Sequence, residues 1–316
     1  MNARTLQSMK NFADAVDARR VLLRGLIDYA GLFPPAALSM QDAIANYDYY
    51  SKSEHAWMLG RFILPVARLG EFEAALSGLQ NANKKPGSNW GLSVLSGADV
   101  ATDLSRICKF KERFATTHLT TVIEVESIEI RTANVEEIER LSKVIPAQLE
   151  AYFEVPLTAD VSNFVAAIAG CGRRAKIRTG GETPDKFPAP ERIADFIRLC
   201  GASNVAFKAT AGLHHPVRSC HRLTYQPDSP SGIMHGFLNV FLAAAFLRAG
   251  MDVPHAVELL KEQSATAFRF GADVVSWRQG RLGIDDLAAA RRDLAISFGS
   301  CSFAEPVEDL QALGLL

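Results

Sequence analysis

The stretch from Arg174 to Pro216 determines how the rest of the chain is interpreted. It begins Arg174-Ala-Lys-Ile-Arg-Thr-Gly-Gly181, continues through a helical interval, and ends Asn204-Val-Ala-Phe-Lys-Ala-Thr-Ala-Gly-Leu-His-His-Pro216. Each end of the stretch contains a short apolar run, typical of a strand buried on both faces, and each run stops at glycine. A strand, a helix and a second strand in this order predict neighbouring strands of a parallel sheet.

A lysine lies in the middle of each of these strands, at Lys176 and Lys208. Burying an unpaired ammonium group is costly, so both lysines need a partner or a function. The glycines that follow them, Gly180, Gly181 and Gly212, permit a tight turn and a close approach of the backbone to a ligand. We therefore expect a site at the carboxyl ends of a parallel sheet.

Composition and charge narrow the class of protein. The chain has 316 residues, 48% of them hydrophobic and 22% charged, with a net charge of −1, as expected for a globular protein with a sizeable core. The near-neutral balance argues against nucleic acid or a membrane as the main partner. The five cysteines form no CxxC pair, so a disulfide framework is not expected. We expect a cytoplasmic location.

Two further features concern location and assembly. The amino terminus contains no apolar core of signal-peptide length, so we expect a protein that is not exported. The longest apolar segment, from Phe237 to Leu247, is shorter than the roughly 20 residues that span a bilayer. This segment is also a candidate for the subunit interface of a homo-oligomer.

Strand-like and helix-like segments alternate along most of the chain. The candidate strands lie at residues 22–31, 61–66, 90–96, 120–126, 149–156, 174–178 and 205–210, with a weak eighth at 267–270. Helices are predicted between them, and Ser39 is the expected N-cap of the first. The chain end from about Asp285 is expected to be helical.

This alternation predicts an α/β fold. Eight such units favour a single (β/α)8 TIM barrel domain over residues 1–316, with an N-terminal helical extension over residues 1–20. An open, doubly wound sheet is the competing architecture. It is disfavoured because no GxGxxG motif follows the first strand.

Ionisable residues recur inside the predicted strands. Residues two apart in a strand face the same side, so shared faces are expected for Glu124 with Glu126, Glu150 with Tyr152 and Glu154, Lys176 with Arg178, and Lys208 with Thr210. If those faces point into the barrel, several carboxylates and cations converge in one water-poor volume. A structural lysine–glutamate bridge explains a single pair, but it explains charges on four or five adjacent strands poorly.

The electrostatics of two neighbouring lysines suggest a chemistry. Ammonium groups about 6 Å apart at an effective dielectric of about 20 repel by roughly 2.8 kcal/mol, equivalent to about two pKa units, and carboxylates nearby offset part of this. One lysine is then expected to be a neutral amine, and a desolvated lysine beside a second cation commonly forms a Schiff base. Tyr152, Asp28 and one of Glu124 or Glu126 are candidates for proton transfer.

The segments Ala175-Lys-Ile-Arg-Thr-Gly-Gly181 and Phe207-Lys-Ala-Thr-Ala-Gly-Leu213 resemble the paired lysine strands of class I aldolases of the deoxyribose-phosphate aldolase type. The resemblance implies Lys176 as the Schiff-base nucleophile, Lys208 as the cation that lowers its pKa, and Asp28 or Glu124 as the proton relay. The implied activity is that of a carbonyl-handling lyase acting on a small anionic substrate. Arg178 and the His214-His215 pair have no counterpart in that family, and the chain is longer.

Further polar residues near the predicted strand ends are candidates for substrate binding. They are Arg178, Thr179, Gly180, Gly181, Thr210, His214, His215, Glu126 and Glu154. The Thr179–Gly181 turn can present backbone N–H groups to an anion. His214 and His215 are adjacent in an extended segment, so at most one of them is expected to face the site.

Three other functions stay open. A divalent-metal-dependent lyase, hydrolase or isomerase would use His214 or His215 with strand glutamates as ligands; no HxH or HExxH spacing indicates a metal, and no other cofactor is expected. A barrel similar to phosphoribosyl-transferring enzymes would hold phosphate and carboxylate groups with Lys176, Arg178 and Lys208. The last alternative is a non-catalytic anion-binding or assembly protein.

Overall fold

The computed structural model describes residues 17–83, 89–116, 122–158 and 160–316. Its strands are β1 (Ile27–Tyr29), β2 (Leu59–Pro65), β3 (Trp90–Leu95), β4 (Ile123–Arg131), β5 (Glu150–Val155), β6 (Arg174–Arg178), β7 (Phe207–Thr210), β8 (Ser219–Arg222), β9 (Ser231–Met234), β10 (Phe268–Phe270), β11 (Val274–Trp277), β12 (Gly280–Gly283) and β13 (Ala295–Ser300). Its α-helices are α1 (Ala18–Leu23), α2 (Met40–Tyr50), α3 (Leu69–Asn83), α4 (Val100–Thr116), α5 (Val135–Ser142), α6 (Val161–Gly170), α7 (Pro190–Ala202), α8 (Phe237–Arg248), α9 (Val253–Lys261), α10 (Ile284–Asp293) and α11 (Ala304–Ala312).

Eight parallel strands close a barrel in the order β1-β13-β7-β6-β5-β4-β3-β2. Helices alternate with these strands along the chain, so the fold is a (β/α)8 barrel and the prediction is confirmed. Residues 1–16 of the expected N-terminal extension lie outside the described residues, and α1 begins at Ala18.

The two lysine strands show why these sequences form barrel strands. Side chains alternate between the two faces, so β7 directs Phe207 outward, where it packs edge-on against Phe196 of α7 with ring centroids 5.3 Å apart. The next residue, Lys208, then points into the barrel and pairs in register with Lys176 of β6. One apolar face therefore anchors the strands to the helices while the other carries charge.

Side-chain caps fix the beginnings of several helices. The side chains of Ser39, Asn134, Asp160 and Asp252 each accept a hydrogen bond from a backbone N–H in the first turn of α2, α5, α6 and α9. The predicted cap at Ser39 is confirmed. Such caps satisfy N–H groups that have no partner within the helix, each typically contributing about 1 kcal/mol.

The eighth barrel strand lies later in the chain than predicted. Residues 268–270 form β10, which pairs with β11 and β12 in a separate antiparallel sheet. The barrel is closed by β13, within the segment predicted to be helical, which pairs with both β7 and β1. Its sequence, Ala295-Ile-Ser-Phe-Gly-Ser300, lacks the dense β-branched run of a typical buried strand because its inward positions carry small residues.

Two other predicted strands have different bounds. The first is short, because Leu22 and Leu23 belong to α1 and Gly25 turns the chain with a φ of 55° before Ile27. Strand β4 continues five residues beyond the predicted end at Glu126 and stops at Arg131. The start of the predicted segment, at residues 120–121, lies outside the described residues.

Helix α8 is buried on every side. Its residues from Phe237 to Phe246 are all buried, and it packs against α7, α9 and α10. The expectation that this segment offers a subunit interface is therefore wrong, since its apolar surface is already covered within the chain. Within the described ranges, no helix combines the length and the apolar character needed to cross a bilayer.

Candidate active site

The barrel interior holds an ion cluster built around Glu129 of β4. The two carboxylate oxygens of Glu129 contact different lysines: Oε2 lies 2.9 Å from Lys176 Nζ and Oε1 lies 2.5 Å from Lys208 Nζ. Lys176 also lies 2.9 Å from Oε2 of Glu154, an ion pair without hydrogen-bond geometry. Glu129 therefore joins the two lysine strands electrostatically.

Lys208 has a second carboxylate partner in Asp28 of β1. Its Nζ donates a hydrogen bond of 2.8 Å to Asp28 Oδ2, which also accepts one of 2.7 Å from the hydroxyl of Ser297. The other oxygen of Asp28 accepts a bond of 2.8 Å from the backbone N–H of Arg61. Every residue of this network except Arg61 is buried, so Asp28 and Lys208 form a fully satisfied internal ion pair.

The protonation of these groups follows from their neighbours. Burial opposes charge on Lys208, but the carboxylates of Asp28 and Glu129 outweigh burial and raise its pKa. Burial likewise opposes charge on Glu129, yet the two lysines and a 2.7 Å hydrogen bond from Ser93 lower its pKa. Ser127 in turn donates to Ser93. Lys208 and Glu129 therefore stay ionised near neutral pH.

A cavity of about 800 Å³ opens at the carboxyl ends of the barrel strands. Its wall includes Lys176, Glu129 and Glu154 from the ion cluster, together with Arg178 at the end of β6 and Thr210 at the end of β7. In barrels of this fold, the loops at this face usually carry the active site. The cavity is therefore the candidate active site.

The two lysines differ in their access to this cavity. Lys176 lies in the cavity wall with 3% of its side chain exposed, whereas the Lys208 side chain is fully buried and is absent from the wall. Lys208 lies next to the ring of Tyr152, 5.6 Å from the ring centroid, within the barrel. Of these two amines, only Lys176 can meet a ligand without a rearrangement.

Cations surround the mouth of the cavity. Arg131, Arg178 and Lys186 line it, with Glu182 as an acidic neighbour. Arg131 is largely exposed and lies 4.0 Å from Glu154. Among the described residues, Arg178 has no carboxylate within ion-pair distance. The mouth can therefore accept an anionic group, with Arg178 as the cation most available to it.

A second ion cluster lies toward the amino ends of the strands. Arg61 binds Glu126 at 2.6 Å and Glu150 at 2.9 Å, and Arg174 binds Glu150 at 2.7 Å and donates a bond of 2.8 Å to the Tyr152 hydroxyl. None of these residues lines the cavity. Burial raises the pKa of Tyr152, which favours its neutral form. This cluster neutralises charge within the barrel and closes its lower end.

The predicted proton-transfer residues Asp28, Glu124 and Tyr152 do not line the cavity. Glu124 is exposed at the start of β4, while Asp28 and Tyr152 are buried without access to the cavity. The expectation that Glu124 and Glu126 share an inward face also does not identify a cavity residue, because Arg61 binds Glu126. Glu154, predicted as a substrate-binding residue, does line the cavity.

The predicted turn after β6 divides into residues that line the cavity and residues that shape it. Gly181 of this turn lines the cavity, as does Thr210 at the end of β7. Thr179 is buried and donates a bond of 2.6 Å to the backbone carbonyl of Ala211. Gly180 lies against Gly212, and a Cβ on Gly180 would come within 2.8 Å of the Gly212 Cα. Thr179 and Gly180 therefore hold the ends of β6 and β7 together.

The two histidines lie on different sides of the loop after β7, as the sequence predicted. His214 lines the cavity, where its Nδ1 lies 2.9 Å from Glu305 and its Nε2 lies 4.0 Å from Cys301 Sγ. His215 instead lies 2.6 Å from Asp309. Within the described residues, no group of three or more His, Cys, Asp or Glu side chains is arranged to bind a metal ion.

Glu129, the centre of the ion cluster, is not among the site residues that the sequence predicts. A register shift in β4 opposite Leu92 and Ser93 changes which residues point inward, so Ser127, Glu129 and Arg131 face the barrel. Simple alternation from Glu124 would place Glu129 on the opposite face. The available signal was the run Ser127-Ile-Glu-Ile-Arg131, which alternates polar and apolar residues as a half-polar strand does.

Comparison of the chain with protein-family models and with curated proteins gave no match. The fold and the site therefore define its class: a (β/α)8 barrel with a polar cavity at the carboxyl ends of its strands and a buried lysine in the cavity wall. Barrels of this class are commonly enzymes.

Proposed function

We propose that the protein is a lyase of the aldolase kind, acting on a small anionic carbonyl compound through a Schiff base on Lys176. The observation that carries this proposal is the placement of Lys176, a buried amine in the wall of a polar cavity. A lysine shielded from water and flanked by acidic groups is suited to attack a carbonyl carbon once it has lost a proton.

Glu154 is the residue best placed to take that proton. It lines the cavity, and its Oε2 lies 2.9 Å from Lys176 Nζ. Glu129 is less suited because Lys208 and Ser93 stabilise its ionised form, and its pKa is lowered. Proton transfer from Lys176 to Glu154 gives the neutral amine, at a cost that substrate binding must offset.

The covalent step then balances through the same carboxyl group. The Lys176 nitrogen forms a bond to the carbonyl carbon as the C=O π bond breaks, and one proton of that nitrogen moves to the carbonyl oxygen, which becomes a hydroxyl group. Protonated Glu154 returns its proton as that hydroxyl leaves as water, and a protonated imine remains. Its positive charge replaces that of the original ammonium group beside Glu129, which lies 2.9 Å from Lys176 Nζ.

Lys208 has a positioning role in this proposal. It holds Glu129 and Asp28 from within the barrel and is itself sealed from the cavity. Its charge stays in place because its pKa is raised by both carboxylates, after allowance for burial, which acts in the opposite direction. Lys208 therefore offsets part of the negative charge of Glu129. This weakens the attraction of Glu129 for the Lys176 proton.

The cations at the mouth set the class of substrate. Arg178, Arg131 and Lys186 lie on the cavity wall above the lysine, where a carboxylate or phosphate on the substrate can be bound. The volume of about 800 Å³ is enough for a compound of modest size. Small 2-oxo acids and phosphorylated aldehydes combine the required carbonyl with an anionic group.

Trapping with borohydride tests the proposal. The protein is incubated with a panel of 2-oxo acids and phosphorylated aldehydes, reduced, digested and mapped by mass spectrometry. We expect a stable adduct on the peptide that contains Lys176, and none on that position in Lys176→Met. Lys52→Met is the matched control, because Lys52 is an exposed lysine that pairs with Asp48 and does not line the cavity, so its loss should leave trapping at Lys176 intact.

Two outcomes contradict the Schiff-base proposal: no adduct across the whole panel, or an adduct formed equally well by Lys176→Met. Saturable calorimetric binding of the same compounds without any adduct would favour the second candidate, a barrel that binds anions without covalent chemistry. The contacts of Lys176 with both Glu129 and Glu154 favour that candidate, because two ion pairs already engage the amine.

A further inference from the structure

A second reactive cluster lies on the same cavity wall and takes no part in the proposed lysine chemistry. Cys301 Sγ lies 4.0 Å from His214 Nε2, and His214 Nδ1 lies 2.9 Å from Glu305 Oε2. Both Cys301 and His214 line the cavity. A thiol, an imidazole and a carboxylate thus lie in a row, each of the two imidazole nitrogens facing one partner.

The barrel topology produces this alignment. Cys301 directly follows β13 and His214 lies in the loop after β7, and these two strands are neighbours in the barrel. Glu305 lies in the first turn of α11, which begins just after Cys301. All three residues therefore depend on elements at the carboxyl face. The arrangement is part of the barrel mouth and not of an isolated loop.

The surroundings favour a charged histidine. Burial opposes charge on His214, but its hydrogen bonds with Cys301 and Glu305 outweigh burial and raise its pKa to about 10. The same contact with His214 lowers the pKa of Glu305, although burial acts in the opposite direction. Tyr225 lies 3.2 Å from Glu305 and 3.7 Å from Cys301, and burial, the largest cause, raises its pKa.

Other titratable groups around the cluster are also paired. His215 lies 2.6 Å from Asp309 of α11 and stacks on His221 with ring centroids 3.4 Å apart. His215 also lies 3.9 Å from Glu305, and none of His215, His221 and Asp309 lines the cavity. At neutral pH, His214 therefore faces the thiol as a cation anchored by Glu305.

We propose that Cys301 is a second nucleophilic centre of the cavity, a thiolate paired with His214 that reacts with soft, negatively charged carbon electrophiles. An imidazolium next to a thiol stabilises the thiolate, which is the nucleophilic form. The cations at the mouth, Arg178 and Lys186, draw an anionic electrophile into the same space. The cavity thus offers two different nucleophiles, Lys176 and Cys301, to one class of ligand.

Iodoacetate is a simple probe of this centre. The Cys301 sulfur forms a bond to the methylene carbon, the carbon–iodine bond breaks, and iodide leaves with the electron pair. No external base is needed, because in the proposed ion pair the thiol proton already resides on His214. Iodoacetamide has the same reacting carbon without the negative charge, so the two reagents separate thiol reactivity from attraction by the mouth.

The chain provides its own reference thiols. Cys108 and Cys220 are exposed, whereas Cys200 is fully buried and its pKa is raised by burial. An ordinary thiol is only a few per cent ionised near pH 7, so a thiolate paired with an imidazolium should react roughly 10-fold faster after allowance for its lower intrinsic nucleophilicity. Peptide mapping after substoichiometric labelling measures all these rates in one sample.

We expect Cys301, although only 5% of it is exposed, to be labelled about 10-fold faster than the exposed Cys108 near pH 7. The ratio of iodoacetate to iodoacetamide rates should be higher at Cys301 than at Cys108 and should fall with added salt. In His214→Gln the labelling of Cys301 should slow to or below the rate of Cys108, while Cys108 is unchanged. Glu305→Gln should weaken the effect without changing which residue reacts.

Labelling of Cys301 no faster than that of Cys108, with the same ratio of iodoacetate to iodoacetamide rates at both thiols, would overturn the proposal. Since the wild-type protein alone gives that comparison, the test does not depend on whether His214→Gln folds. Lys176→Met should be labelled at Cys301 at about the wild-type rate. The thiol result and the borohydride result therefore stand or fall separately.

Discussion

Replacing Lys208 by methionine tests the ion cluster most severely. The substitution keeps the length of the side chain and removes only the ammonium group, which donates bonds of 2.8 Å to Asp28 and 2.5 Å to Glu129. Asp28 then loses its only side-chain cation among the described residues, and Glu129 keeps only Lys176. Two buried carboxylates are left with too little positive charge.

The size of the stability loss depends on a difference between forming a buried ion pair and removing one partner from it. Forming the pair gains little, whereas removing one partner leaves a buried charge unpaired. Two ionic contacts of this length are each worth about 6 kcal/mol at an effective dielectric of about 20, most of which offsets desolvation. Removing one partner of a buried pair typically costs about 3–5 kcal/mol. We expect a loss in this range, measured as the free energy of unfolding in urea near pH 8.

The pH dependence of that loss identifies its cause. In the wild type the pKa of Glu129 is lowered, so its contribution to stability is present above the unfolded pKa and is lost as pH falls through the folded value. In Lys208→Met, Glu129 keeps only one of its two lysine partners, so burial dominates and raises its pKa. Protonation of Glu129 at low pH then removes a buried negative charge. The difference between variant and wild type should therefore shrink by at least about 1 kcal/mol between about pH 8 and pH 5.

Lys52→Met is the matched control, since Lys52 forms an exposed ion pair with Asp48 on α2 and should contribute less than about 1 kcal/mol. Adding Glu129→Gln to Lys208→Met should restore part of the lost stability, because it removes one of the two buried negative charges that Lys208 balances. A loss below about 1 kcal/mol for Lys208→Met, or a loss equal at both pH values, would refute this view of the cluster.

Three further substitutions probe separate parts of the structure. Gly60→Ala should lower the free energy of unfolding by roughly 1–3 kcal/mol in urea, because its Cβ would collide with the Asp28 carboxylate. Asn239→Ala should cost about 3 kcal/mol in the same assay, because buried Asn239 donates to two backbone carbonyls and accepts from the N–H of Arg218. In steady-state kinetics, Arg178→Ala should raise KM for an anionic carbonyl substrate about 10-fold and change kcat less. Glu124 is exposed, and its control substitution Glu124→Ala should change neither KM nor kcat.

The parts of the barrel that were predictable are those with regular alternation. In β5, β6 and β7 the period of two holds without interruption, so Glu154, Lys176, Arg178 and Thr210 were correctly expected on inward faces. The proximity of Lys208 to Lys176 also follows from adjacent parallel strands. Helix caps such as Ser39 are equally local signals.

The parts that were not predictable depend on register and on long-range contacts. Glu129 was missed because the shift in β4 reverses the alternation, which only the neighbouring strand β3 reveals. Strand β13 was missed because its interior positions, Ser297 and Gly299, are small and leave room for Lys208 and the cavity. The Cys301–His214–Glu305 row spans about 90 positions of the chain and carries no local pattern.

The expected free amine also requires a physical correction. The repulsion between the two lysines is offset by more carboxylates than the sequence indicates, because the structure surrounds the pair with Asp28, Glu129 and Glu154. Burial opposes charge on Lys208, but Asp28 and Glu129 outweigh burial and raise its pKa, so Lys208 is not the neutral amine. In the proposed reaction, the neutral amine at Lys176 arises by proton transfer to Glu154 when the substrate is bound.

The Schiff base on Lys176 can be seen in a crystal structure of the protein reduced with borohydride in the presence of a reactive 2-oxo acid or phosphorylated aldehyde. We expect continuous density from Lys176 Nζ to the former carbonyl carbon, with the anionic group of the ligand beside Arg178. Density joined to another lysine, or a ligand seated in the cavity without a bond to Lys176, would contradict it.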